Sequence, residues 1–206
     1  HAYRTANKKY SKEDQTLIRK NFAQAIEKAN QERLIAQAEA ADEAGKVWNT
    51  AQEFGRVPYM DKKQIADLYG ARIQNTHLLV PMRDIVGKLW GYQRILEDGT
   101  KLFCPGQKTS GCFHVLGSLD DENIFVAEGF ATGASIKQAT SRTCLIAFTA
   151  GSLLSAVADI RKKYPTKSIT ICGDDDIYTD VNIGRQKAEE AGKKHNCSVV
   201  FPYFNK

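Results

Sequence analysis

The second half of the chain alternates short apolar runs with stretches of helical pattern, and this alternation constrains the fold more than any other feature. Four apolar runs lie at residues 124–127, 144–148, 168–172 and 198–201. Three helix-forming stretches separate them, at residues 132–140, 152–163 and 182–194. Short apolar strands separated by helices are typical of a parallel sheet with helices on both faces. We therefore predict an α/β unit with four strands.

Two of these apolar runs end in acidic residues. Glu128 follows the first run, and Asp174, Asp175 and Asp176 follow the third. The carboxyl ends of parallel strands share one edge of the sheet, where ligands bind. In extended backbone Asp174 and Asp176 face the same way and Asp175 faces away, so Glu128, Asp174 and Asp176 can converge. Carboxylate ligands without His or Cys favour Mg²⁺ or Mn²⁺, as phosphoryl or nucleotidyl transfer requires. The alternative for three consecutive Asp residues is a solvated loop.

Glycines surround the start of the helix that follows Glu128. Gly129 and Gly133 are small enough to let a phosphate approach backbone N–H groups at a helix N-terminus. The alternative is a tight strand-to-helix turn, and the two interpretations are compatible. The spacing matches neither the P-loop nor the dinucleotide-binding motif.

The N-terminal quarter has the pattern of one long helix over residues 11–53. Ser11 with acidic residues after it is a suitable start, Gly45 is expected to kink or divide the helix, and Gly55 to end it. One apolar stripe recurs at helical spacing: Ile18, Phe22, Ile26 and Ala29. A helix of this length packs on a domain over only part of its length, so we predict a spacer, with pairing to a partner as the alternative.

Between these parts the pattern changes to short antiparallel strands. Strand-like segments at 78–82, 89–96 and 101–103 are separated by turns, the second of which contains Asp98-Gly99, a hairpin signal. We predict a small antiparallel β-rich subdomain between the long helix and the parallel sheet.

Composition is that of a water-soluble globular protein with a net charge of +5. The polar first residues carry no signal peptide, and five cysteines without Cys-x-x-Cys spacing favour a reducing cytoplasm. Cys104, Cys112 and His114 are the candidate zinc ligands, but their spacing is poor and a fourth ligand is not evident. Because the sequence starts at His1, we expect it to be a piece of a longer protein.

Residues 126–129, together with residues 173–176, resemble the Toprim domain shared by bacterial-type primases, topoisomerases and some nucleases. The segment at 79–93 resembles the part of bacterial primase catalytic cores that precedes this domain, and residues 101–105 with 111–117 resemble the segment that joins the two. Residues 128–133 are especially similar to primases of plasmids, conjugative elements and phages.

The resemblance covers residues 56–206 and implies a DNA primase core that makes short RNA primers on single-stranded DNA. It implies acid/base chemistry near the metal for Glu128 and metal binding for Asp174 and Asp176, and Gly184 matches the glycine that follows this pair. It divides the chain into a helical spacer (1–55), a basic β-rich subdomain (56–122) and a Toprim domain (123–206).

The resemblance also implies residues that bind the template and nucleotide phosphates. They are Arg83, Lys88, Arg94, Lys101, Lys108 and Gly129. Ordinary solvated charge remains the alternative for each basic residue, with Arg83 and Arg94 favoured because both lie in strand-like segments. His114 is expected to be a packed loop histidine.

The expected partners are a single-stranded DNA template and nucleoside triphosphates, without a membrane. A helicase or a zinc-binding domain would lie outside this sequence. Two other functions remain open: a Toprim nuclease or topoisomerase fragment, and a module that binds single strands without catalysis.

Overall fold

The computed structural model describes residues 11–175 and 182–203, which form five helices and nine strands. The helices are α1 (Lys12–Thr50), α2 (Pro58–Lys62), α3 (Phe130–Thr140), α4 (Ala150–Lys163) and α5 (Ile183–His195). The strands are β1 (Arg72–Gln74), β2 (His77–Arg83), β3 (Leu89–Ile95), β4 (Lys101–Phe103), β5 (His114–Leu116), β6 (Asn123–Ala127), β7 (Thr143–Ile146), β8 (Ser168–Cys172) and β9 (Ser198–Val200).

Helix α1 is a single helix of 39 residues. It begins with a capping box, in which Asp14 N–H donates to Ser11 Oγ at 3.0 Å and Ser11 N–H donates to Asp14 Oδ2 at 3.1 Å. Its buried residues are Ala41, Ala44 and Trp48, all in its last turns, and Ala44 and Trp48 pack against Leu79 and Tyr92 of the first sheet. The prediction that Gly45 divides the helix is therefore wrong, because packing on both sides of this residue keeps the helix continuous.

The first sheet contains strands β1-β2-β3-β4, all antiparallel, as the sequence predicts for this region. The second sheet has the order β5-β7-β6-β8-β9, in which β7, β6, β8 and β9 run parallel. The predicted parallel α/β unit is thus confirmed. Strand β5, which pairs antiparallel with β7, was not predicted and lies in a segment interpreted as loop.

One hydrophobic core joins the two sheets. Val80 and Met82 from the first sheet lie in the same buried cluster as Ala127 and Ile146 from the second sheet and Phe130 at the start of α3. A backbone bridge between Arg83 and Phe113 also links the sheets, with N–H···O distances of 3.1 and 2.9 Å. The division of the chain into three parts, with boundaries at residues 55/56 and 122/123, stays a prediction from the sequence.

None of the helices in the described ranges is long and apolar enough to cross a membrane.

Candidate active site and nucleic-acid interface

Two of the three predicted metal ligands follow neighbouring parallel strands. Strand β6 ends at Ala127, immediately before Glu128, and pairs with β8, whose last residue Cys172 is the register partner of Ala127. Parallel neighbours lie about 4.8 Å apart. Glu128 and Asp174 therefore leave the sheet at the same edge, as the sequence predicts.

Backbone hydrogen bonds hold both strand ends beyond the strands themselves. Phe148 N–H donates to the Glu128 carbonyl at 2.9 Å, and Gly173 N–H donates to the Val200 carbonyl at 2.9 Å. The main chain that carries each carboxylate is thus tied to the strand on its other side. Asp176, the third predicted ligand, lies outside the described residues. Among the residues that are described, no three His, Cys, Asp or Glu side chains form a metal-binding group.

Asp175 takes a structural role. Arg185, in the first turn of α5, donates to both Asp175 carboxylate oxygens at 3.1 and 2.9 Å, and Asn182 Nδ2 donates at 2.6 Å. The bonds from Arg185, with those from Asn182, hold the pKa of Asp175 below its usual value. The Arg185 guanidinium also lies 4.0 Å from the centre of the Phe201 ring. The Asp175 side chain therefore links the segment after β8 to α5. Asp175 is not one of the predicted metal ligands, which include its neighbours Asp174 and Asp176.

Gly184 in α5 lies directly against Asp174. A Cβ atom at Gly184 would lie 2.9 Å from the Asp174 carbonyl oxygen, closer than real Cβ atoms come. Only glycine allows α5 to approach the backbone that carries the predicted ligand. The resemblance had matched this glycine to a family position, and the close approach supplies a physical reason for it.

A polar cavity of about 350 Å³ opens beside the strand ends. Asp174 lines it, as do Gly129 and Thr132 at the start of α3. Lys101 on β4 and the β3–β4 turn complete it from the first sheet. The predicted residues Lys101 and Gly129 thus meet at the carboxylate edge, and a Cβ atom at Gly129 would lie 3.3 Å from Lys101 Nζ.

Lys62 and Lys63 line the same cavity, and the sequence reasoning missed both. Lys62 is the last residue of the five-residue helix α2, and Lys63 is its C-cap. Two adjacent lysines in a short polar segment are an ordinary surface pattern, so nothing in the sequence distinguished them.

Lys88 and Lys108 both lie over the ring of Trp90, with their ammonium nitrogens 4.0 and 4.7 Å from its centre. Trp90 Nε1 donates to Asp84 Oδ2 at 2.8 Å, which fixes the ring. Partial burial raises the pKa of Asp84, but the bonds from Trp90 and two backbone N–H groups outweigh it and hold the pKa below its usual value. An aromatic ring between cations is suited to single-stranded nucleic acid. Trp90 was also missed, although it lies two residues from Lys88.

Arg83 and Arg94 lie elsewhere on the first sheet and are half-buried. Arg83 lies 5.7 Å from the Trp48 ring centre and donates to the Gly87 carbonyl at 3.0 Å. Arg94 donates to Gln74 Oε1 at 3.1 Å and to Tyr92 Oη at 3.3 Å. Burial, with the nearby charge of Arg72, lowers the pKa of Arg83. The predicted basic residues therefore divide among three places, and both arginines have intramolecular partners.

His114 is packed, as expected, but on strand β5 and not in a loop. Its Nε2 lies 2.9 Å from the Tyr69 carbonyl oxygen and its ring stacks on Phe130 at 6.1 Å between centroids. Burial lowers the pKa of His114 to about 4. Cys112 is buried as well, and burial raises the pKa of its thiol to about 11. A neutral imidazole and a protonated thiol in the core are packing groups.

Comparison with known proteins agrees with this geometry. Residues 123–199 match the family described as the Toprim domain. The chain contains a Toprim domain. The matched residues begin with β6 and include both strand ends that carry Glu128 and Asp174, so the family assignment and the carboxylate edge fall on the same part of the chain.

Two curated relatives from Escherichia coli are each named DNA primase TraC. One is 33% identical over 193 residues, covering 84% of this chain and 18% of its own length. The other is 33% identical over 205 residues, covering 85% of this chain and 14% of its own length. The chain therefore spans less than a fifth of the length of these relatives.

The fold also resembles that of a solved structure, described as the DnaG primase catalytic domain bound to ssDNA. It has a TM-score of 0.56 at 10% sequence identity, covering 85% of this chain and 76% of the other. At this identity the likeness shows the fold alone.

Proposed function

We propose that this chain is the catalytic core of a DNA primase, which joins ribonucleotides into a short primer on a single-stranded DNA template. The observation that carries the proposal is the register of β6 and β8, which brings Glu128 and Asp174 to one edge of a Toprim sheet. The relatives named DNA primase support the reaction.

The donor set at this edge fits a divalent cation. Glu128 and Asp174 offer hard oxygen ligands, while Asp175 is engaged by Arg185 and faces other partners. We propose Mg²⁺ or Mn²⁺, bound by Glu128, Asp174 and Asp176. Such an ion would neutralise phosphate charge and favour attack of a 3′-hydroxyl on an α-phosphate.

The chain's own residues would orient the two substrates. Lys101 and the backbone N–H groups at the start of α3 face the cavity and suit the phosphates of an incoming nucleotide. Trp90, with Lys88 and Lys108, suits a base and phosphates of the template strand. Positioning of this kind supplies most of the catalysis in phosphoryl transfer.

Primer synthesis on single-stranded DNA with labelled ribonucleotides tests the proposal. Glu128→Gln and Asp174→Asn keep the size of each side chain and remove its charge, so we expect synthesis to fall by at least about 100-fold. Glu122→Gln is the matched control, because Glu122 precedes the same strand β6 at the opposite edge of the sheet and is exposed.

Wild-type synthesis in both edge variants would contradict the proposal. DNA cleavage that needs Mg²⁺ but no nucleotide would indicate a nuclease. Salt-sensitive DNA binding without any synthesis would indicate a binding module.

A further inference from the structure

Three lysines from the end of α2 and from β4 line the cavity at the carboxylate edge. Lys62 is the last residue of α2, Lys63 caps this helix, and Lys101 begins β4. In the described ranges none of these three lysines forms an ion pair with a carboxylate. Asp174 lines the same cavity. A ligand in this cavity would therefore meet both a carboxylate and three lysines.

The backbone of Lys62 and Lys63 is held by the core and by α3, the helix that starts at the carboxylate edge. Tyr59, Met60 and Ile65 are buried around them. Gln138 of α3 donates to the Gln64 carbonyl at 3.1 Å and accepts from Ala66 N–H at 2.9 Å. These bonds join the backbone that follows Lys63 to the helix that follows Glu128. The backbone positions of the lysines relative to the strand ends are therefore fixed by direct contacts.

Asp98 lines the same cavity as the three lysines. The Asp98 carboxylate accepts from Thr100 N–H and Oγ1, both at 2.8 Å, which holds its pKa below its usual value together with the nearby charge of Lys62. Asp98 is thus ionised and already hydrogen-bonded within its own turn. Three lysines against Asp98 and Asp174 leave an excess of one positive charge in the lining, before any cation binds at Asp174.

We infer that Lys62 and Lys63 bind the β- and γ-phosphates of a nucleoside triphosphate whose α-phosphate lies toward Asp174. The inference rests on the proposed function and adds two residues to it. A volume of about 350 Å³ lies within the range of small-molecule sites, which begins at about 300 Å³. Lysine binds phosphate oxygens as a point charge, so flexible side chains on a fixed backbone suit this role.

Equilibrium binding tests the inference without requiring synthesis. The probes are fluorescent ATP and AMP analogues with Mg²⁺ present, and a labelled single-stranded DNA oligonucleotide. In the double variant Lys62→Ala/Lys63→Ala we expect triphosphate affinity to fall about 10-fold or more, because each lost charged contact weakens binding several-fold. AMP and DNA affinities should stay within about twofold.

Two controls accompany the double variant. Lys162→Ala removes one exposed lysine in the last turn of α4 and should leave all three affinities unchanged. Lys62→Arg/Lys63→Arg keeps both charges and should retain most of the triphosphate affinity. Thermal unfolding checks that α2 still packs in the double variant.

Unchanged triphosphate affinity in the folded double variant would overturn the inference, as would a wild-type chain that does not discriminate ATP from AMP. An equal loss of DNA affinity would assign the lysines to the template instead. If the double variant loses triphosphate affinity but the wild-type chain makes no primers, the proposed function fails and the phosphate site stands.

Discussion

Replacing Gly184 with alanine tests whether α5 positions the carboxylate edge through its close contact with the Asp174 backbone. The new Cβ would lie 2.9 Å from the Asp174 carbonyl oxygen, whereas ordinary contact begins at 3.4 Å. The obstacle is a backbone atom, so either α5 or the segment after β8 must move by roughly 0.5 Å. Overpacking of this kind costs about 1–3 kcal/mol. Alanine recovers up to ~1 kcal/mol of helix propensity, which leaves a net loss of about 0–2 kcal/mol.

The same displacement should lower activity. A misplacement of about 1 Å costs on the order of 100-fold in rate, so a shift half as large should cost about tenfold. Denaturant unfolding gives the stability change, and primer synthesis at saturating nucleotide gives the rate. Both effects should appear together, since both arise from movement of the Asp174 backbone.

Gly45→Ala is the matched control for Gly184→Ala. Gly45 also lies within a helix, but a Cβ there meets nothing within 4 Å. We expect the chain to gain up to about 1 kcal/mol in stability, with unchanged synthesis. If Gly184→Ala behaved like Gly45→Ala in both assays, close approach of α5 to Asp174 would not explain this glycine.

Three further predictions use other parts of the molecule. Burial lowers the pKa of His114 to about 4 in the folded chain, so as pH falls the unfolded chain binds a proton at this residue before the folded chain does. The unfolding free energy should therefore fall by up to about 3 kcal/mol as pH drops from 6.5 toward 4. His114→Gln should flatten that pH dependence in denaturant titrations, and an unchanged slope would contradict the assignment. Lys88→Ala and Lys108→Ala should each reduce the salt dependence of single-stranded DNA binding by about 0.7 in log–log slope, measured by anisotropy, and an unaltered slope would exclude phosphate contact. Gly133→Ala would place a Cβ 2.1 Å from Ile146 Cδ1, so we expect about 1–3 kcal/mol of lost stability in thermal unfolding, and no loss would mean that this side chain repacks freely.

The sequence predicted the parts of the fold that have a strong periodic pattern. Strands β6 and β8 are continuous apolar runs, and the acids after them occupy the shared edge that such strands create. Strand β5 was missed because His114–Leu116 is too short to show a period and gains its pairing only from β7, almost thirty residues later. Tertiary contact, not local preference, makes this segment a strand.

Side-chain partners were less predictable than positions. Arg83 and Arg94 were favoured as phosphate ligands because they lie on strands, yet both are half-buried with intramolecular hydrogen bonds. Lys62 and Lys63 lie more than a hundred residues from Asp174, and only the folded chain brings them to the same cavity. No periodic pattern or motif in a single sequence predicts that residues so far apart will line one cavity.

The core shared by both sheets has a consequence for motion. Val80, Met82 and Phe130 are fully buried in one cluster, and packed interiors of this kind resist continuous deformation. A hinge between the Trp90 surface and the carboxylate edge would have to open that cluster. The distance between the Trp90 surface and the carboxylate edge is therefore fixed once the polypeptide has folded. Substrates that contact both must match this one spacing.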